Sequence, residues 1–176
     1  AIHIAETLWY VDVILALLVA WVVPFAMFQH QEHALQNMTA MWLLPIVACE
    51  VAAGSGGLLV GHLLANTHAV TILLGSYVLW GISVLPAFAI LSLLMLRLVL
   101  HRVPEKEQAL SSWLALGPIG TGAFALLVLG QQAPTVLASV GFAELGQFFQ
   151  HAGIFASLIL LGFGLWWFGV AVISTV

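Results

Sequence analysis

Long apolar stretches alternate with short polar ones along the chain. A membrane-crossing helix needs about 20 mainly apolar residues. Five stretches meet that length: Glu6 to Phe28, Thr39 to Leu64, Val70 to Leu100, Ser111 to Gly130 and Gly146 to Ser174. Between them lie Gln29 to Met38 (QHQEHALQNM), Ala65 to His68, His101 to Leu110 (HRVPEKEQAL) and Gln131 to Leu145, the last with room for a short surface helix or re-entrant piece. Short connections make successive helices antiparallel, so the pattern predicts an all-α integral membrane protein with about five transmembrane helices in hairpins. The third stretch exceeds a perpendicular span and predicts tilt.

Composition points the same way. The chain is 63% hydrophobic and 6% charged, against about a quarter charged in a soluble domain. Three basic residues against seven acidic ones exclude nucleic acid as a partner, because phosphate neutralisation needs clustered Lys and Arg. The lone Cys49 sits in an apolar run and reads as a small buried hydrophobe. The chain opens at Ala1 and closes at Val176 against an apolar run; the expectation is a single membrane domain over residues 1–176, a piece of a longer membrane protein. Arg97, Arg102 and Lys106 all fall at the link between the third and fourth spans. The positive-inside rule places that link in the cytoplasm, for a protein of the plasma membrane.

Candidate chemistry concentrates in the second and fourth spans. The second carries Pro45, Gly54, Gly56 and Gly57; the fourth carries Gly117, Pro118, Gly120 and Gly122. Proline removes a backbone donor and kinks a helix, and glycine bares the backbone. In a membrane such breaks survive only against protein or a water-filled cavity. Two readings stand: these residues line a pathway, or they let helices pack closely. On the first, bulky replacement of Gly56 or Gly120 slows flux without unfolding the protein.

Intramembrane carboxylates are costly and usually face the bundle interior. Glu50 falls mid-span and Asp12 about two turns into the first span. Glu50 binds a proton or cation, tunes the charge of a pore, or is a protonated structural carboxyl; beside an anion path it is expected neutral or turned away. Seven histidines raise the alternative of a histidine-ligated membrane redox or metal subunit, with His151 its best candidate. Haem ligation wants paired histidines at mid-depth, whereas His30, His33, His62, His68 and His101 fall at span ends, so no cofactor or metal is expected. Most tryptophans lie near span ends and suit interfacial belts, with Trp80 internal. No phosphate loop, catalytic triad spacing or zinc-protease motif is present, and no enzyme activity is expected. A non-transporting membrane scaffold is the remaining alternative.

Several stretches carry a family resemblance: WYVDV (Trp9 to Val13), PFAMF (Pro24 to Phe28), TAMWLLPIVACEVAAGSGGLL (Thr39 to Leu59), SYVLWGISV (Ser76 to Val84) and LGPIGTGAFALLVLG (Leu116 to Gly130). Together they resemble the tellurite-resistance/dicarboxylate transporter family, which takes in voltage-dependent anion channels, malic acid transport proteins, sulfite efflux pumps and plant slow anion channels. The resemblance implies ten helices in five hairpins about a central anion path, with kinked odd-numbered helices inside and even-numbered ones outside. This chain is similar to the fourth through eighth, so its second and fourth spans would be inner and the others outer. It also implies small anions as substrates (C4-dicarboxylates such as malate, sulfite or similar oxyanions), membrane lipid around the bundle, and a homotrimer. Anion preference would then come from backbone dipoles at helix breaks. Glu50 stands where many relatives are uncharged, and Thr121 where many carry Gln; both are candidates for coupling or selectivity. Arg97 would lend positive potential at the cytoplasmic mouth or, more simply, snorkel as an anchor.

Overall fold

A computed structural model describes residues 2–30, 34–63, 67–101 and 110–175. Five helices follow one another: α1 (Ile2–His30), α2 (Leu44–Val60), α3 (Thr67–His101), α4 (Leu116–Ala138) and α5 (Ala143–Thr175). Tight 3-10 turns lead into the two shorter helices, Ala40–Leu43 before α2 and Leu110–Ala115 before α4, and another spans Leu35–Asn37. All five helices are long and apolar enough to cross a membrane, and the described residues contain no strand. The protein is an all-α integral membrane protein.

Two boundaries differ from the sequence reading. α2 ends at Val60, and residues 61–63 form a turn; Leu64, the expected end, lies outside the described residues. α4 does not stop at Gly130. It continues past Gln131, Gln132 and the interior Pro134 to Ala138, which replaces the expected surface or re-entrant piece. Glutamine extends a helix readily, and the reversal comes only where the backbone can make it. Gly141, at φ 88, supplies a left-handed residue. The Gly141 N–H then donates to the Ala138 carbonyl and the Phe142 N–H to the Leu137 carbonyl, a Schellman-type ending that closes the orphan carbonyls of α4.

α2 packs against α1, α3 and α4, and α4 packs against α2, α3 and α5. The centre is therefore a triangle of α2, α3 and α4, with α1 applied to α2 and α5 to α4. Half of each apolar window of α2 and α4 is buried, against 6% for α1, 33% for α3 and 22% for α5. The two most buried helices are α2 and α4, the pair that the resemblance puts inside, while α3, which it puts outside, packs against both of them. The helices also differ in length: α2 and α4 have 17 and 23 residues, and α1, α3 and α5 have 29, 35 and 33; at 1.5 Å per residue α3 rises roughly 52 Å, well beyond a bilayer core of about 30 Å.

Small residues set the closest approaches, as expected where lipid offers no hydrophobic drive between helices. A methyl added to Gly146 would stand 2.7 Å from the Ala133 carbonyl oxygen, and one added to Gly153 would stand 2.8 Å from that of Leu126. Only glycine allows α5 this near to α4. Two apolar clusters fill the interior, one around Ala52, Leu73 and Leu129, the other around Leu43, Leu91 and Trp167.

Candidate functional site

Pro45 and Pro118 begin the inner helices rather than bend them. Pro45 occupies the first turn of α2 and Pro118 is the third residue of α4. There the missing N–H has no intrahelical acceptor to lose, so proline costs nothing. Both are buried. The irregular backbone of the inner segments lies just before them, in the 3-10 turns. The prolines inside helices are Pro24 in α1, Pro86 in α3 and Pro134 in α4.

The candidate glycines separate into two groups. Gly54, Gly56 and Gly57 sit in unbroken helix and are buried. A methyl on Gly54 would touch the Phe124 ring at 3.5 Å, and one on Gly57 would press Val128 at 3.0 Å, so these two seat α2 on α4. A methyl on Gly56 would fall 2.9 Å from the Trp9 indole nitrogen and run into the Ser76 hydroxyl; this site has no room for bulk, contrary to the expectation that Gly56 tolerates it. Gly122 is buried against Val84 and Glu50. Gly117 and Gly120 are exposed, and a methyl on either would meet nothing within 4 Å. Gly120 opens onto a groove of 530 Å³ between α4 and α5, flanked by Ile119, Phe124, Ile154 and Leu161.

Glu50 is fully buried where α2, α3 and α4 meet. Its Oε1 hydrogen-bonds the Thr121 hydroxyl, and its Oε2 has no hydrogen-bond partner among the described residues. The absent side chain of Gly122 makes the space: a methyl there would lie 3.5 Å from Oε2. The Thr121 hydroxyl is also 2.9 Å from the Gly117 carbonyl oxygen. Glu50 and Thr121, singled out separately in the sequence, are thus one pair joining the two inner helices.

Four donors that the sequence reading did not single out for this purpose tie outer helices to inner ones. The Trp9 indole of α1 donates to the Ala52 carbonyl at 2.9 Å and the Ser83 hydroxyl of α3 to that of Ile46 at 2.8 Å. Trp80 of α3 donates to Gly122 and Ser157 of α5 to Ala123, both at 2.9 Å. Trp9 and Trp167 are buried, not interfacial, since the indole N–H of the first finds a carbonyl inside the bundle and both rings fill its core. The available signal was a serine or tryptophan three or four residues from small ones, which composition alone cannot aim.

Arg97 is 7% exposed, and its Nε donates to the Gln36 carbonyl at 3.2 Å. It fastens the α1–α2 connection to α3 instead of reaching out to the membrane surface. Asp12 is exposed and lines a 440 Å³ groove with Ser55 and His62. His151 is exposed, Glu6 pairs with His3 and His68, and no three His, Cys, Asp or Glu side chains converge on a metal-sized site among the described residues. Glu32, His33, Arg102 and Lys106 lie outside the described residues.

Comparison with known proteins fits this geometry. The family described as SLAC1, voltage-dependent anion channel, matches residues 1–176. A sulfite efflux pump of Arthroderma otae is 39% identical and one of Trichophyton rubrum 37%, each over 99% of this chain and 47% of the relative. A transporter of Methanocaldococcus jannaschii, itself uncharacterized, is 30% identical over 99% of this chain and 47% of its own length. The chain therefore spans about half the length of the curated relatives it matches. No solved structure matches it. With a family match along its whole length, the chain belongs to the voltage-dependent anion channel family.

Proposed function

We propose that this chain is one membrane domain of a longer transporter that moves small anions, with sulfite ahead of malate and other oxyanions. The observation that carries the reading is the family match along all 176 residues; the relatives named as sulfite efflux pumps give sulfite its priority. The start of α4 supplies the path-facing surface. Gly117 and Gly120 leave bare backbone there, open on one side and backed by the Glu50–Thr121 pair on the other. Such a surface offers an anion peptide dipoles and helix-start N–H groups without a fixed cation, which suits passage better than tight binding. Arg97, Arg102 and Lys106 support a cytoplasmic position for the α3–α4 link in a plasma membrane, and the resemblance supports a homotrimer with lipid around it.

The test is flux from proteoliposomes holding the longer protein, preloaded with sulfite, malate or chloride. The expected result is sulfite release well above that of empty vesicles. Release equal to empty vesicles for all three anions would remove the transport reading. Crosslinking in the same vesicles would report the subunit number.

A further inference from the structure

The three oxygens at the α2–α4 junction do not match an ionised carboxylate. The Thr121 hydroxyl lies within hydrogen-bonding reach of both Glu50 Oε1 and the Gly117 carbonyl oxygen. A threonine hydroxyl owns one proton. If Glu50 were ionised, that proton would serve one acceptor and leave the other oxygen facing a lone pair. If Glu50 carries a proton on Oε1, both contacts are made: the acid donates to Thr121, and Thr121 donates to Gly117. Surroundings agree. An unpaired buried carboxylate is far too costly unless a cation or several donors meet it; Oε2 has no hydrogen-bond partner among the described residues, and the nearby Ser83 hydroxyl gives its proton to the Ile46 carbonyl. α4 has no titratable side chain over Leu116–Ala138. On α3, Tyr77 stands about one turn from Trp80, while His68 and Arg97 lie roughly 18 and 21 Å along the helix from Trp80 and Ser83. Cys49 is next in sequence and buried, and on α1 Asp12 is exposed.

We propose that Glu50 is a proton-binding site, held as a neutral acid, and that the Thr121 hydroxyl is its connection to the exposed Gly117–Gly120 face. Release is a paired movement. The Glu50 proton passes from Oε1 to Thr121 Oγ1 while the threonine's own proton passes to a water molecule at the exposed face. The products are a Glu50 carboxylate, an intact threonine hydroxyl and a hydronium ion; uptake is the reverse. The site stands whether or not the protein moves anions, so loss of the transport reading would leave it in place.

The experiment is infrared difference spectroscopy of the longer protein in lipid bilayers, following the carbonyl stretch of a protonated carboxyl and its exchange with deuterium. At neutral pH the wild type is expected to show this band and Glu50→Gln to lack it. Exchange should slow about tenfold in Thr121→Val, the factor equivalent to one hydrogen bond in the path, and keep its rate in Thr121→Ser. Thr121→Ala provides the same reading if valine impairs folding. Absence of any band that Glu50→Gln removes would overturn the proton site. Equal exchange in wild type and the hydroxyl-free variants would overturn the connection through Thr121.

Discussion

At Gly56 an added methyl would stand 2.9 Å from the Trp9 indole nitrogen, whereas at Gly120 it would meet nothing within 4 Å. Both residues are glycines in inner helices, and both follow a proline within a dozen residues. The difference lies in what stands opposite. Mid-way along α2, glycine is consumed by contact: α1, α3 and α4 all come close, and the bare backbone is covered. At the start of α4 it is left uncovered. Glycine richness in a membrane helix therefore does not report a passage; it reports that something needs the space, which is a neighbouring helix in one case and an open surface in the other.

This contrast can be tested from its strongest end. Gly146→Ala extends the covered class to a place where the obstacle is main chain, 2.7 Å away. Helix α5 must back off from α4, and the expected loss is about 3 kcal/mol, read as a lowered melting temperature in detergent. An unchanged melting temperature would mean that α5 is free to slide. Gly56→Ala should cost about 2 kcal/mol, less because its obstacles are the Trp9 and Ser76 side chains, and the Trp9 bond to the Ala52 carbonyl goes with the shift. Gly120→Leu belongs to the other class. It should leave the melting temperature in place and cut anion flux about tenfold, equivalent to about 1.4 kcal/mol on the barrier; full flux in a folded variant would take α4 out of the path. The smallest effect is expected at Gly117→Ala, within about 0.5 kcal/mol of wild-type stability, since the added methyl has open space. A large loss there would erase the distinction between the two regions.

Much of this architecture is visible in the sequence because bilayer thickness and the cost of unpaired backbone leave few choices. The stretch from Glu6 to Phe28 predicts α1, and Val70 to Leu100 predicts α3 to within a turn. Gln131, Gln132 and Pro134 look like a link, so the sequence pattern ends the fourth span eight residues before α4 does. Only the position of Gly141 shows that the reversal comes later. The partition into inner and outer helices comes from the family resemblance, and Pro and Gly placement agrees with it. The role of those residues was not legible. Pro45 and Pro118 have the sequence signature of kinks and the position of helix starts. Glu50 and Thr121 were both flagged, but their pairing spans 71 positions, and periodicity within one helix cannot say which face of another it meets. Trp9 looked like a surface anchor because proximity to a span end says nothing about which way an indole points.

The four ties from the outer helices all end on peptide oxygens, at Ile46, Ala52, Gly122 and Ala123. A peptide oxygen is present whichever amino acid occupies the position. The anchorage of α2 and α4 is thus written in the sequence of α1, α3 and α5, and the inner helices can change residues on their free faces without coming unfastened. A scaffold with this division of labour keeps its two central helices in place whatever side chains they carry toward their unfastened faces.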